Sequence, residues 1–397
     1  MIKRILNFLC FLCISSSLWG QDATFTLIDN NPVSINPAFC LAPGNQFQAM
    51  TLSRQQWWNL PGPNSYAAAY HMNNGTFLGP ITSDRYEATG FAIQSFTNSS
   101  GEGDFTYSGV TGTIGFKKVV PLPNRSVFAF QGGWGLSFRK FSIDWSKLTF
   151  SSQLDPFYGY ISSIPIINPR VNSSPDFFTI TNNLGFNLEY LPSKRNWKIS
   201  AGASCFNLSN LAGYTFFGED DSNIPRRWTT NMTFIKFYEG SSGLVEDFMS
   251  SYFILRHNYE YQASLQNSET RIGANIAGAL TVYAGYRSRR ILPELNVDGT
   301  LNQDALLYSI QVNTPNFILS FGYDYTVSGL NIARTRGTTE FGIIVPLGTR
   351  GNIKGRRPSE PCYVDYLMSR SEWKAVEKFN NKSTSWGRQY SPVTFIR

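Results

Sequence analysis

Apolar and polar residues alternate with a period of two along most of this chain. Between positions 127 and 139 one face carries Phe128, Phe130, Trp134, Leu136 and Phe138, and the other carries Gln131, Ser137 and Arg139. Period two is the spacing of a strand with one apolar and one polar face. The pattern recurs over 178–190, where Phe178, Ile180, Leu184, Phe186 and Leu188 lie opposite Thr179, Thr181, Asn183, Asn187 and Glu189. It recurs again over 306–313 and 317–326. These runs are about 10 residues or longer, whereas soluble strands are usually about 5–6, and a tilted strand of that length crosses a bilayer. The pattern predicts an all-β fold, a transmembrane antiparallel β-barrel of about 14 strands within a range of about 12–16, an even count being usual. The strands are expected near 46–56, 64–73, 86–96, 105–118, 126–140, 177–191, 196–208, 228–237, 249–262, 269–277, 280–288, 304–314, 316–326 and 338–347.

The connections agree with a barrel. Short Pro-bearing turns at Pro121-Leu122-Pro123-Asn124, Pro192-Ser193-Lys194-Arg195 and Thr314-Pro315 alternate with long stretches at 141–176, 209–227, 289–303 and 327–337. Periplasmic turns and longer outside loops give that alternation, with both termini on the periplasmic side.

Composition narrows the class. Aromatic residues make up 15% and charged residues 15%, the latter well under the roughly 25% usual in soluble domains. A disordered chain would carry fewer aromatics, and no run of 18 apolar residues marks a membrane helix. At the amino terminus Lys3 and Arg4 precede a short apolar stretch, 5–14, and a small-residue region ending Leu18-Trp19-Gly20. That is the layout of a secretory signal peptide, with cleavage expected after Gly20. Residues 1–20 therefore read as a signal, 21–349 as the barrel, and 350–397 as a periplasmic tail. Cys40, Cys205 and Cys362 would remain, too few for a disulfide scaffold. Cys205 shares a face with Ile199, Ala201 and Ala203 and is expected to face lipid.

The net charge of +7 is unevenly placed. Residues 350–397 carry +6 and Lys3 and Arg4 carry +2, so residues 21–349 sum to −1. A high isoelectric point invites a nucleic-acid reading, but here the barrel is neutral and the base is an appendage, so no nucleic-acid partner is expected. In that tail Ser369 and Glu372 match a capping box, and Trp373, Val376 and Phe379 make one apolar face of a short helix. Arg356, Arg357, Trp373, Lys374 and Lys378 are the docking candidates, for a protein partner or peptidoglycan.

Catalytic chemistry is poorly supplied. His71 and His257 are the only histidines, and neither has a nucleophile motif nearby. Glu219-Asp220-Asp221 lacks the spaced ligands of a calcium loop. Phosphate-binding glycine motifs are absent; the glycines sit inside strands, where they suit barrel curvature. A non-enzymatic protein without metal or cofactor is expected.

Five short blocks carry a resemblance. Asn36-Pro37-Ala38-Phe39 followed by Arg54-Gln55-Gln56-Trp57 resembles the amino-terminal signature of the PorP/SprF family, outer-membrane proteins of the type IX secretion system in Bacteroidetes. Gly285-Tyr286-Arg287, Gly322-Tyr323-Asp324-Tyr325 and Gly337-Thr338-Thr339-Glu340 resemble its later blocks in the same order. Cys40-Leu41 stands where the family commonly has a small residue and glycine, and Thr339 where it often has histidine. The resemblance implies an outer-membrane component that binds or anchors exported adhesin or gliding proteins. As partners it implies secreted cargo with a type IX C-terminal targeting domain, and periplasmic secretion-system or peptidoglycan-linked proteins, in a setting of outer-membrane lipid.

The signature residues have a physical reading too. Arg54 lies in the first strand and Glu340 in the last, which must pair if the barrel closes. A lipid-facing Arg costs roughly 2–4 kcal/mol at the bilayer midplane, so Arg54, Arg287, Asp324 and Glu340 are expected to project into the lumen, with opposite-charge pairing near the seam. Gln56 and Tyr323 belong to the same blocks, and Trp57 with Trp58 and Tyr66 suits an interfacial aromatic belt. Two other functions fit a chain of this kind: an outer-membrane channel for small solutes, hydrophobic compounds among them, and a soluble secreted binding protein.

Overall fold

A computed structural model describes residues 24–41, 47–56, 70–83, 87–101, 104–122, 126–144, 154–155, 159–160, 176–193, 196–213, 224–238, 251–263, 265–276, 279–288, 303–314, 317–327 and 336–347. Fourteen long antiparallel strands form one closed barrel. They are β1 (Phe47–Gln56), β2 (Tyr70–Ser83), β3 (Glu87–Ser100), β4 (Phe105–Pro121), β5 (Val127–Ser142), β6 (Asp176–Leu191) and β7 (Trp197–Phe206), then β8 (Arg227–Tyr238), β9 (Ser251–Gln262), β10 (Leu265–Ile276), β11 (Leu280–Ser288), β12 (Gln303–Asn313), β13 (Ile318–Thr326) and β14 (Thr338–Leu347). Each pairs with its sequence neighbours, and β1 pairs with β14 to close the cylinder, Arg54 lying directly opposite Glu340. A short extra strand, Asn210–Gly213, adds to β6.

Burial runs inside out. Outward positions are apolar and open: Ile114 is 55% exposed, Phe138 52% and Phe321 49%. Inward positions on the same strands are polar and buried, as with Thr113, Ser137, Asn183 and Asp324. Only a surrounding hydrocarbon makes that arrangement favourable, because apolar surface is expelled from water and charge from lipid. The start of β1 and the end of β14 lie at one end of the barrel, here the terminus end, and the strand ends Gln56, Ser142, Phe206, Ser288 and Thr326 lie at the other, the long-loop end.

Three differences from the sequence-based expectation are physical. β2 continues to Ser83, ten residues past its expected end at 73, while 64–69 of the expected strand lies outside the described residues. It contains Pro80, which is tolerated because the register against β3 shifts between Pro80 and Thr82, and a bulge is where a strand admits a residue lacking an N–H. β10 spans Leu265–Ile276, starting four residues earlier than the expected 269, and pairs with β9 as far as Gln262 opposite Leu265. Cys205 is on the outward face but only 5% exposed, flanked in register by Leu184 and Trp228, so it is shielded rather than open to lipid.

Candidate functional site

Residues 24–41 lie inside the barrel. They form three short 3-10 turns, Ile28–Asn30, Pro32–Ser34 and Pro37–Cys40. Pro32 and Pro37 each open a turn, where proline's fixed φ and missing N–H cost nothing. Asn36 caps the third turn, its Oδ1 accepting from the Ala38 N–H at 2.9 Å. No regular helix or strand would satisfy this backbone, so the barrel wall does it. Arg271 donates to the carbonyls of Phe25 and Thr26. Arg227 donates to Ser34 O at 2.8 Å, and Ser204 and Thr229 to Ile35 O at 2.8 and 2.6 Å. Asn36 Nδ2 donates to Phe186 O at 2.9 Å.

The wall has a groove shaped for this segment. Gly90, Gly115, Gly133 and Gly185 are direct cross-strand partners on β3 to β6, in a single row of inward positions. Residues 41 back to 36 cross that row in order. A Cβ on Gly90 would lie 2.6 Å from Leu41, on Gly115 2.5 Å from the Cys40 sulfur, on Gly133 2.6 Å from Ala38 N, and on Gly185 2.7 Å from Pro37. At Gly133 and Gly185 the atoms met include the segment's backbone and the Pro37 ring, so only glycine admits the segment there, whereas at Gly90 and Gly115 they are the side-chain ends of Leu41 and Cys40.

Below the groove, at the terminus end, the lumen holds two apolar clusters. Val33, Cys40 and Leu41 pack with Met50, Leu78, Val127 and Leu191 in one buried cluster. Ile28 and Phe39 pack with Ile235, Phe237, Ile254 and Tyr283 in another. Gln48, Lys117, Gln131, Glu189 and Lys198 are buried at this end too, so it is a packed mixture of apolar and paired polar groups rather than a water channel. Toward the long-loop end the inward residues turn polar, and a narrow cleft is bounded by Phe25, Ser34, Asn74, Gln94, Thr111 and Asn183.

Lys117 and Lys198 pair with Glu189 at 2.8 and 3.6 Å on β4, β6 and β7, and a second charged cluster meets on the seam side. Arg54 pairs with Glu340 and, at 3.4 Å, with Asp324. Arg287 reaches Asp324 at 2.8 Å and Glu269 at 3.0 Å, and Glu269 also pairs with Arg271. Three cations and three anions balance within a sealed space where Glu340 is 1% exposed, and balance is what buried charge requires. The internal segment is wired into this network. The backbone N–H groups of Thr26 and Leu27 donate to the two carboxylate oxygens of Glu340 at 2.8 and 2.6 Å, and the Thr26 hydroxyl donates to Asp324. Arg256 Nη1 donates to both carboxylate oxygens of Asp29, at 3.0 and 3.1 Å, and Gln311 donates to Asp29 at 3.0 Å.

The structure thus brings Arg54, Arg287, Asp324 and Glu340 together, and places Asn36, Pro37 and Ala38 on the opposite wall. Gln56 accepts from Arg54 at 3.3 Å. Tyr323 points outward instead and donates to Arg336 O. Trp57 and the tail residues Arg356, Arg357, Trp373, Lys374 and Lys378 lie outside the described residues. Sequence reasoning missed Asp29, Arg256, Glu269 and Arg271, and missed the groove, although the groove glycines recur on the polar faces of adjacent strands. Among the described residues no cluster of three His, Cys, Asp or Glu side chains could hold a metal ion.

Solved structures similar to this chain are membrane barrels with little sequence in common. CdiB from Acinetobacter baumannii is 10% identical with a TM-score of 0.39, over 75% of this chain and 60% of its own length. A TodX mutant, a monoaromatic hydrocarbon channel, is 12% identical with a TM-score of 0.37, over 80% and 93%. A mutant Rh. blastica porin is 7% identical with a TM-score of 0.30, over 76% and 99%. No curated protein matches the chain. Residues 18–345 match the family described as type IX secretion system membrane protein PorP/SprF. An inside-out barrel with these blocks in this order is an outer-membrane protein, and the chain belongs to the PorP/SprF family of type IX secretion system membrane proteins.

Proposed function

We propose that this barrel serves secretion by binding rather than by conducting or catalysing. The observation that carries the reading is the terminus end of the lumen, filled by residues 24–41 packed against apolar wall residues. A conduit needs a continuous aqueous path, and this packing closes it. What remains available to partners is the outer rim with its long loops and, on the terminus side, the basic segment 350–397. In this reading residues 1–20 direct export, outside loops such as 143–175 hold exported adhesin or gliding cargo bearing a C-terminal targeting domain, and the tail engages periplasmic secretion-system or peptidoglycan-linked proteins. Arg54, Arg287, Asp324 and Glu340 then hold the inner segment and the seam rather than touch cargo.

Affinity purification from detergent-solubilised membranes tests this. The full chain is expected to bring down surface adhesins and periplasmic machinery. Deleting 352–397 is expected to leave a folded, membrane-inserted barrel while recovery of periplasmic partners falls at least tenfold. Recovery of neither class by the full chain would remove the binding reading, and failure of the deleted form to insert would show that the tail belongs to the barrel.

A further inference from the structure

One part of the lipid-facing surface breaks the inside-out rule. On β1, β2 and β3 the outward positions Thr51, Ser53, Asn73, Ser95 and Thr97 are polar and exposed. They adjoin in register, Thr51 beside Gly75 and Ser53 beside Asn73, with Ser95 and Thr97 next in the same two rows. On the seam side the Ser53 row turns apolar, with Phe341 and then Phe321; on the other side the Ser95 row turns apolar at Val110 and Phe138, while the Thr97 row stays polar through Ser108 to Lys140. One row nearer the terminus end Ala49, Phe77 and Ile93 restore the apolar band. The patch is therefore a polar notch, walled by apolar residues on the seam side and toward the terminus end, and open toward the long-loop end, where Gln55, His71 and Ser99 follow. With Gly75 among its lining residues it is an open depression of about 310 Å³ with Phe341 on its rim.

Lipid tails cannot satisfy hydroxyl and amide groups. A phosphate-bearing headgroup would call for Lys or Arg, and no residue of the notch is charged. Association within a bilayer relies on close packing and hydrogen bonds, which favour Gly, Ser, Thr and Asn at the contact. Ser, Thr and Asn both donate and accept, so a neutral patch of them complements itself, as a two-fold interface requires. Knob and hole also stand side by side: Phe341, 49% exposed, flanks Ser53 on one side, and the Gly75 notch lies on the other. We infer that this face docks a second copy of the chain, each Phe341 filling the partner's notch about a two-fold axis near Ser53. The inference goes beyond the binding role proposed above and does not depend on it.

The test uses the full-length chain in its own membrane, with Cys362→Ala so that the tail thiol does not contribute. Oxidation of Ser53→Cys is expected to give a disulfide product of twice the monomer mass. Met232→Cys, outward on β8, is expected to give none. Gly75→Trp fills the notch and should lower the Ser53→Cys product at least tenfold, while the protein still migrates as a folded, heat-modifiable barrel. If Gly75→Trp prevents folding, Phe341→Ala serves in its place with the same expected loss. A Ser53→Cys protein that stays monomeric, that links to a chain of different mass, or whose dimer survives the notch-filling or knob-removing change would overturn the inference.

Discussion

Replacing Gly133 with valine is expected to expel residues 24–41 from the lumen while the barrel stays closed. Valine suits a strand backbone, so β5 itself has no reason to fail. The new side chain would occupy the space of Pro37 O and Ala38 N. Both are backbone atoms held by a turn, and cannot swing aside as a flexible side chain would. Gly115 and Gly185 fix the segment on either side in the same row, so sliding along the groove only moves the clash. Cys40 reports the outcome. Burial pushes its thiol up to about 12, and only the thiolate reacts. Release toward an ordinary value of about 8.5 raises the thiolate fraction at pH 8 by roughly 10³, and exposure adds to that. Maleimide labelling of Cys40 in the folded protein should go from undetectable to rapid. A Gly133→Val protein whose Cys40 remains unreactive would show that the groove does not seat the segment.

Removing one carboxylate from the lumen network should be the most damaging single charge change. Glu340→Ala leaves Arg54 beside Asp324 alone, tips three against three to an excess cation, and strips the acceptors from the Thr26 and Leu27 N–H groups. Breaking a buried pair in this way costs about 3–5 kcal/mol. The double change Arg54→Ala with Glu340→Ala restores charge balance and should recover part of the loss, since contacting residues are not additive. The surface pair Lys118–Glu87, more than half exposed on both sides, supplies the contrast, and Glu87→Ala should cost about 0–1 kcal/mol. Urea unfolding of the lipid-reconstituted protein measures all three. Equal costs for Glu340→Ala and Glu87→Ala would mean that the lumen charges hold nothing together.

Strand alternation was legible because the strands see lipid on one side and, over most of their length, a polar interior on the other; it fades where inward residues are apolar, as at Ile235, Phe237 and Ile254. The seam was legible for a related reason. Arg54 and Glu340 are ionisable residues in the first and last strands, and closure puts those strands together. Residues 24–41 were not legible as a plug. Turns of three and four residues have no period, and Asn31-Pro32 and Asn36-Pro37 read as an irregular lead-in to β1. Gly90, Gly115, Gly133 and Gly185 read as relief for curvature, because their alignment in one row depends on registers that no local pattern reveals. Arg256 was obscured because β9 alternates weakly: Tyr259 and Tyr261 face outward but so does His257, bonded to Thr270 at 2.9 Å. Asp29 has no meaning until its segment is placed against β9 and β12.

Single-channel recording in a planar bilayer tests the sealed lumen most directly. The wild-type chain is predicted to insert without conductance steps, whereas the Gly133→Val protein should give steady steps of one size. Porin-like conductance from the wild-type chain, with Cys40 still protected, would contradict the account and favour a solute channel instead.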